Sequence, residues 1–182
     1  SRRPADANRS SPTAVSKPRL NIMVEISFEL GEHHFLSGQY SWRIKDLELR
    51  YRGDGEFAEL IIGRIPASEE QVSHFIAAID LLDVWRWRDD YDPNDVGMMV
   101  DDGANWWFKA KLGNRECKCG GCNAFPSYAD VRDTSLNGER FALLRAALYD
   151  VFLIEGYIHQ ARIYAERERE KATNNPVNGS RR

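Results

Sequence analysis

Three cysteines within six residues form the group of side chains in this sequence best suited to binding a metal ion. Cys117, Cys119 and Cys122 could supply thiolate ligands to zinc, and Gly120 and Gly121 would let the backbone wrap around the ion. The sequence holds a single C-x2-C spacing, and its four histidines lie far away along the chain. Zinc is therefore one alternative, structural or catalytic, and no other cofactor is predicted. Buried core cysteines and a redox pair are the others.

Other patterns that carry chemistry are incomplete. Residues 90–101 begin like a calcium-binding loop, but the sixth position is Asp95, where the sharp turn requires glycine. Cys122 follows two glycines as a nucleophile could, yet the sequence predicts no helix starting there to activate its thiol. The motifs G-x-x-x-x-G-K-[ST], H-E-x-x-H and G-x-S-x-G are absent from the sequence. We therefore predict no catalytic residue and expect a protein that is not an enzyme.

Aromatic and arginine side chains are concentrated between residues 85 and 107. Trp, Tyr and Arg dominate the sites at which proteins bind one another, so this cluster predicts a protein-binding surface with an unknown partner. Seven aspartates surround it and would repel a nucleic-acid backbone, and the alternation of Trp85 and Trp87 predicts a strand with one face in the core. The predicted binding residues are Trp85, Arg86, Trp87, Arg88, Tyr91 and Trp107.

Charge is distributed unevenly along the chain. The formal net charge of −3 divides into +4 for residues 1–19, +2 for residues 166–182 and −9 for the body between them. An acidic body repels nucleic acid over most of its surface, so nucleic acid is not the expected partner of the body. The same charge suggests another alternative function, an acidic modulator of a nucleic-acid enzyme.

Length and composition predict one globular domain with loose ends. The chain has 182 residues, of which 42% are hydrophobic, and residues 20–171 form the predicted domain. Residues 1–19, which are basic, and residues 172–182 are predicted to be disordered tails. No apolar run reaches about 18 residues, so no membrane association is expected. The low cysteine content and the lack of a signal-peptide pattern predict a cytoplasmic protein.

The first half of the domain has the alternation of an antiparallel meander. Apolar residues recur at every second position in 20–30, 40–45 and 47–52, and residues 57–63 form a fourth predicted strand. Gly31 and Glu32 start the first predicted turn, and the glycine-rich residues 53–55 form another.

A helix and a hairpin are predicted after the meander. Ser68 and Gln71 form a capping box at the start of the helix, and its apolar stripe should pack on the sheet: Val72, Phe75, Ile76, Ile79 and Leu82. Residues 96–100 predict a short strand, and residues 106–112 predict a longer one that turns at Gly113 and Asn114. Pairing outward from this turn predicts the pairs Lys111–Glu116, Ala110–Cys117, Lys109–Lys118 and Phe108–Cys119.

Residues 139–171 predict one long helix, about 50 Å if unbroken, which Gly156 could bend. The first half of this helix is apolar nearly all round, which predicts burial against the sheet on one side and against a second copy of the chain on the other. The pattern as a whole predicts an α+β fold. Its sheet is mostly antiparallel, made of the N-terminal meander and the C-terminal hairpin, with two main helices packed on it.

The segment from Trp85 to Pro126 resembles a pattern found in small uncharacterised bacterial α+β proteins. The pattern reads W-x-W…Y, then D-G-x-x-W, then G-x-N-A-x-P, and it covers about a quarter of the chain. Its residues here are Trp85, Trp87, Tyr91, Asp102, Gly103, Trp106, Gly121, Asn123, Ala124 and Pro126. That group has no settled activity, so the resemblance implies no catalytic role. The motif residues are expected to make turns and core contacts, and the three cysteines do not belong to the pattern.

The leading hypothesis from these patterns is a non-enzymatic bacterial binding or accessory protein. Its interaction surface would be the aromatic and arginine cluster between residues 85 and 107. The zinc-binding module and the acidic modulator remain the alternatives.

Overall fold

Seven strands of the described residues form one sheet, with the first strand near its centre. The computed structural model describes residues 26–58, 64–100 and 103–174. The strands are β1 (Ile26–His34), β2 (Gly38–Lys45), β3 (Glu48–Gly53), β4 (Arg64–Pro66), β5 (Asp90–Tyr91), β6 (Ala104–Leu112) and β7 (Arg115–Cys122). Their order is β4-β3-β2-β1-β6-β7-β5, and each pair is antiparallel except β5 with β7. A separate pair is formed by β8 (Phe125–Pro126) and β9 (Thr134–Ser135).

Helices pack on one face of the sheet, which we call the inner face. They are α1 (Glu69–Leu81), α2 (Glu139–Val151) and α3 (Ile154–Asn174). Phe28 of β1 lies 4.5 Å from Phe75 of α1 between ring centres, and the ring of Trp106 on β6 lies 4.6 Å from that of Phe141 on α2. The aromatic core therefore lies between the inner face and the helices, and the predicted α+β fold is confirmed.

The predicted meander is confirmed, but its first strand is longer than expected. β1 continues through Gly31 and Glu32, the predicted turn, and the chain reverses at residues 35–37 instead. Both residues are held by neighbouring strands, because the ring of Trp107 lies over Gly31 and Tyr40 donates a hydrogen bond to Glu32. Packing across strands thus overrides the local preference of glycine for a turn.

Two predicted strands of the meander extend beyond the described residues. Residues 20–25 of the first strand and residues 59–63 of the fourth lie outside the described ranges. Phe57, the predicted start of the fourth strand, belongs to a 3-10 turn at Gly55–Phe57, and β4 pairs with β3 from Arg64 onward.

The β6–β7 hairpin has the predicted register. Gly113 has a φ of 58° in the two-residue turn, a left-handed conformation that glycine adopts without steric cost. All the predicted pairs form, including the like-charged pair Lys109–Lys118. Cys117 and Cys119 consequently point to the inner face, where both are buried.

Helix α1 begins at the predicted capping box. The Ser68 hydroxyl accepts a hydrogen bond from the Gln71 backbone N–H at 3.1 Å, and the Gln71 side chain accepts one from the Ser68 N–H at 2.9 Å. Gln71 also donates to the carbonyl of Val151 at 2.8 Å, which joins the start of α1 to the end of α2.

The segment between α1 and β6 contains turns where strands are predicted. A 3-10 turn at Val84–Arg86 replaces the predicted alternation of Trp85 and Trp87. A second one, Pro93–Val96, begins where the Asp92 side chain accepts a hydrogen bond from the Asn94 N–H at 2.8 Å. Proline suits the first position of such a turn, and aspartate suits its cap. The predicted strand at 96–100 is therefore wrong.

The predicted long helix is divided at Phe152 and Leu153, and the bend predicted at Gly156 is wrong. The Phe152 ring is fully buried and lies 5.8 Å from those of Phe28 and Phe75, while Leu153 has a φ of 55° that ends the helical path. Gly156 lies within α3, which continues to Asn174. No helix in the described part of the chain is long and apolar enough to cross a bilayer.

Candidate functional site

The six predicted binding residues do not share one surface. Trp87 and Tyr91 are buried, and the ring of Trp87 meets the Trp106 ring edge-on at 6.1 Å. The Tyr91 hydroxyl donates to the carbonyl of Val131 and accepts from the backbone N–H of Arg88. Burial raises the pKa of Tyr91 to about 12. Trp87 and Tyr91 are therefore part of the core around Trp106.

Trp85, Arg86 and Arg88 lie near the β5–β7 edge of the sheet, at least partly exposed. Each has an acidic partner within a few residues, so the aspartates that surround the cluster neutralise its arginines. The pairs are Trp85 Nε1 with Asp80 (2.6 Å), Arg86 with Asp83 (2.7 Å) and Arg88 with Asp95 (2.8 Å). These contacts hold the loop in place and use the polar groups that a partner would otherwise meet.

The cysteines are divided between the two faces of the sheet. The sulfur atoms of Cys117 and Cys119 are 3.7 Å apart in the core, whereas strand alternation puts half-buried Cys122 on the other face. The hydrogen bond with Cys117 and burial raise the pKa of the Cys119 thiol. Within the described ranges, no three His, Cys, Asp or Glu side chains are grouped so that they could hold a metal ion.

Residues of the bacterial pattern pack around Trp106. Its Nε1 donates to the carbonyl of Ala124 at 2.7 Å, and the Asn123 side chain accepts a hydrogen bond from the Ala104 N–H at 3.0 Å. A Cβ atom at Gly121 would overlap the Ala124 carbonyl oxygen, so glycine is required there. These contacts are the turn and core roles expected of the motif.

A cavity of about 370 Å³ lies between β1, β6 and the start of α2. The rings of Trp106, Phe125 and Phe141 line it together with the charged groups of Glu32 and Arg145. An apolar cavity with a few polar groups is a common form of small-molecule site. The sequence carries little signal of it, because Glu32 stands in a predicted turn and Arg145 is 113 residues further along the chain.

Glu32 forms a buried polar cluster beside this cavity. It is 6% exposed, accepts hydrogen bonds from the Tyr40 hydroxyl at 2.6 Å and Arg145 Nη1 at 2.7 Å, and lies 3.3 Å from His34 Nε2. Burial and the negative charge of Glu32 raise the pKa of Tyr40 well above its ordinary value, which keeps its hydroxyl a donor. Because its oxygens are already engaged, Glu32 is better suited to anchoring α2 on the sheet than to accepting a proton.

The outer face of the sheet, opposite the helices, is strongly basic. Because side chains alternate along each strand, eight lysines and arginines and three glutamates point outward. We call this surface the basic face; its charged residues are Arg43, Lys45, Arg50, Arg52, Arg64, Lys109, Lys111, Lys118, Glu29, Glu48 and Glu116. No described element packs on it.

One row of charges crosses six strands of the basic face. In register from β4 to β7 its members are Arg64, Arg50, Arg43, Glu29, Lys109 and Lys118. Like charges that face each other across strands destabilise a sheet, so this row costs folding stability in the free protein. A surface that carries such a cost is a candidate for binding a ligand of opposite charge.

Part of the basic face is neutralised and part is not. Glu48 pairs with Arg50 at 2.7 Å and with Arg64 at 3.2 Å, and Glu116 pairs with Lys118 at 2.6 Å. Four cations form no ion pair with a described residue: Arg43, Lys45, Arg52 and Lys109. A shallow depression of about 190 Å³ has Glu29, Arg43, Lys109, Lys111 and Lys118 in its lining.

Trp107 is the one predicted binding residue on the basic face. Its indole lies flat over Gly31, where a Cβ atom would overlap the ring, and its Nε1 donates to Glu29 at 3.0 Å. On the other side its strand partner is Gly120, which also lacks a side chain. A half-buried ring thus lies on a floor of glycine, with cations along both neighbouring rows.

Comparisons with models of known protein families and with curated proteins gave no match. The resemblance to small bacterial proteins therefore stays a prediction, and the chemistry of the site is argued from this chain alone.

Charge counted along the chain conceals the basic face. The outward positions of β2, β3 and β6 alternate with core residues, while residues 69–95 hold eight acidic residues and two arginines. The predicted acidic body is therefore correct as a sum, but its charges are separated between opposite sides of the sheet. The signal that could have revealed this is the charge of alternate positions within each strand.

Proposed function

We propose that this is a non-enzymatic binding protein that holds a polyanionic partner against the basic face. The observation that carries the proposal is the row of five cations and one glutamate across six strands. Charges of one sign collected on a single surface attract and orient a partner of the opposite sign, even when the whole molecule carries a small negative charge. The predicted class, a binding or accessory protein, is kept, and Trp107 remains within its surface.

The proposal is tested by moving the same charge change between two places on the molecule. In one variant Arg43→Gln and Lys109→Gln remove unpaired cations of the basic face; in the matched control Arg162→Gln and Arg167→Gln remove exposed cations of α3. Retention on immobilised heparin, read as the salt concentration at elution, should fall for the first variant and change little for the control. Circular dichroism checks that both fold.

Equal losses in the two variants would show that net charge alone governs retention, and the proposal would fail. Wild-type protein that passes through heparin unretained at low salt would also contradict it.

Two finer predictions accompany the proposal. Homodimer formation through residues 139–171 stays a prediction, supported by the exposed Leu143 and Leu153 on and beside α2. Native mass spectrometry of the untagged chain measures it directly. The cytoplasmic location stays a prediction as well, and it agrees with the three cysteines being free thiols.

A further inference from the structure

We infer that the polyanion held by the basic face is a single-stranded nucleic acid, with an unpaired base stacked on Trp107. This inference rests on the proposed function and adds the chemical class of the partner. Proteins that bind single strands combine a positively charged surface, which follows the phosphate backbone, with aromatic side chains on which bases stack. The basic face has both parts within one sheet.

The first argument is the position of the indole. Trp107 lies flat on the sheet because Gly31 has no side chain beneath it, and its hydrogen bond to Glu29 fixes the orientation of the ring. Gly120, its partner on β7, leaves the neighbouring position without a side chain. A ring that is parallel to an open surface and held in one orientation can stack with a base at a small cost in conformational entropy.

The second argument is the length of the cationic row. From Arg64 on β4 to Lys118 on β7 the row crosses five strand spacings, which is about 24 Å. The depression between Arg43 and Lys109 lies inside this span and gives a phosphate group a place beside two cations without ion-pair partners. Trp107 stands two residues from Lys109 on β6, so a base on the ring and a phosphate in the row can belong to adjacent nucleotides.

The third argument is the boundary of the surface. Asp90 pairs with Gly120 at the β5 edge, where the acidic loop begins, and this edge repels phosphate. At the far end of β1 and β6, the outward positions are His33 and Asn105, which can form hydrogen bonds with base edges. The favourable path for a strand therefore runs across β4 to β7 and ends at the acidic edge.

An acidic peptide and a duplex are the other polyanions to consider, and the ring distinguishes them. Both would use the cations, but the bases of a duplex are already stacked within it, and an acidic peptide carries no planar bases. Neither class explains why an indole is kept flat and half-exposed between the charged rows. A single strand uses the ring and the cations together.

The experiment uses the full chain and three fluorescently labelled probes: oligothymidine of about 20 nucleotides, a hairpin duplex of similar charge, and polyglutamate. Affinity is measured by anisotropy at increasing salt concentration. Counting four unpaired cations as phosphate contacts, we expect a slope near −2.8 in log affinity against log salt, a loss of about 50-fold between about 50 and 200 mM. The single strand should bind more tightly than the other two probes.

Variants of Trp107 separate stacking from charge. Trp107→Ala should weaken oligothymidine binding about 5- to 150-fold without changing the salt slope, and Trp107→Phe should restore most of the affinity. Trp85→Ala is the matched control, because Trp85 stands at the sheet edge outside the basic face and should not affect binding.

The outcomes separate this inference from the proposed function. Equal or tighter binding of the duplex or polyglutamate, or no effect of Trp107→Ala, would overturn the single-strand inference and leave a polyanion-binding protein. If none of the three probes binds at low salt, the proposed function fails together with the inference.

Discussion

Replacing Arg145 with methionine removes the guanidinium that faces the buried carboxylate of Glu32 at 2.7 Å. The Glu32 side chain is 7% exposed, so water can replace only part of the lost interaction. Removing one partner of a fully buried ion pair costs about 3–5 kcal/mol. The Arg145 side chain is 43% exposed, so its interaction is already partly screened, and we expect a loss of about 2 kcal/mol.

Urea unfolding at neutral pH measures this loss. With a slope of about 2 kcal/mol per molar urea, the midpoint should fall by about 1 M. Glu32→Gln combined with Arg145→Met should cost less than the sum of the single changes, because the buried charge without a partner is gone. Arg162→Met, on the exposed surface of α3, is the control and should leave the midpoint unchanged.

Two results would refute this reasoning. An unchanged midpoint for Arg145→Met would mean that the cluster does not anchor α2 on the sheet. Strict additivity of the Glu32 and Arg145 changes would mean that the two groups are not energetically coupled, whatever their distance.

The remaining predictions concern the helix junction, the thiols and a buried hydroxyl. Phe152→Ala should destabilise the protein by about 3–5 kcal/mol in urea unfolding, because it empties a fully buried site, whereas Gly156→Ala should be neutral or stabilising by up to about 1 kcal/mol; the reverse order would place the helix break at Gly156. Cys122 should be alkylated before Cys119, whose pKa is raised by its hydrogen bond to Cys117 and by burial, and mass spectrometry of timed samples gives the order; earlier modification of Cys119 would contradict the burial. Burial raises the pKa of Tyr91 from 10.0 to about 12, so its neutral hydroxyl contributes stability that is complete below pH about 10 and is lost as the pH rises towards 12. Melting temperatures across this range should fall less steeply for Tyr91→Phe than for the wild type, and parallel curves would rule out the contribution.

Features fixed by neighbouring residues are predictable from this sequence. The turn at Gly113 and Asn114, the alternation around it and the capping box at Ser68 each depend on groups a few residues apart. Short-range geometry determines them, so the hairpin register and the start of α1 are correct.

Features that depend on distant packing are not predictable in this way. Leu153 adopts a positive φ at the point where Phe152 enters the core against Phe28, more than a hundred residues earlier in the chain. Glu32 stays within a strand because Tyr40 and Arg145 hold it there. The candidate site is missed for the same reason: Arg43 and Lys109 lie on the same face only because β1 pairs with both β2 and β6.

The central position of β1 also affects the order in which the protein can fold during synthesis. β1 can form a hairpin with β2 early, but its other neighbour, β6, ends at Leu112, which is 78 residues after the end of β1 at His34. At about 5–20 residues per second, a ribosome needs about 4–16 s to make that stretch. During this interval β1 has an unpaired edge, whose free N–H and C=O groups can pair with other chains. A nascent chain is therefore most vulnerable to aggregation before its third quarter has been translated.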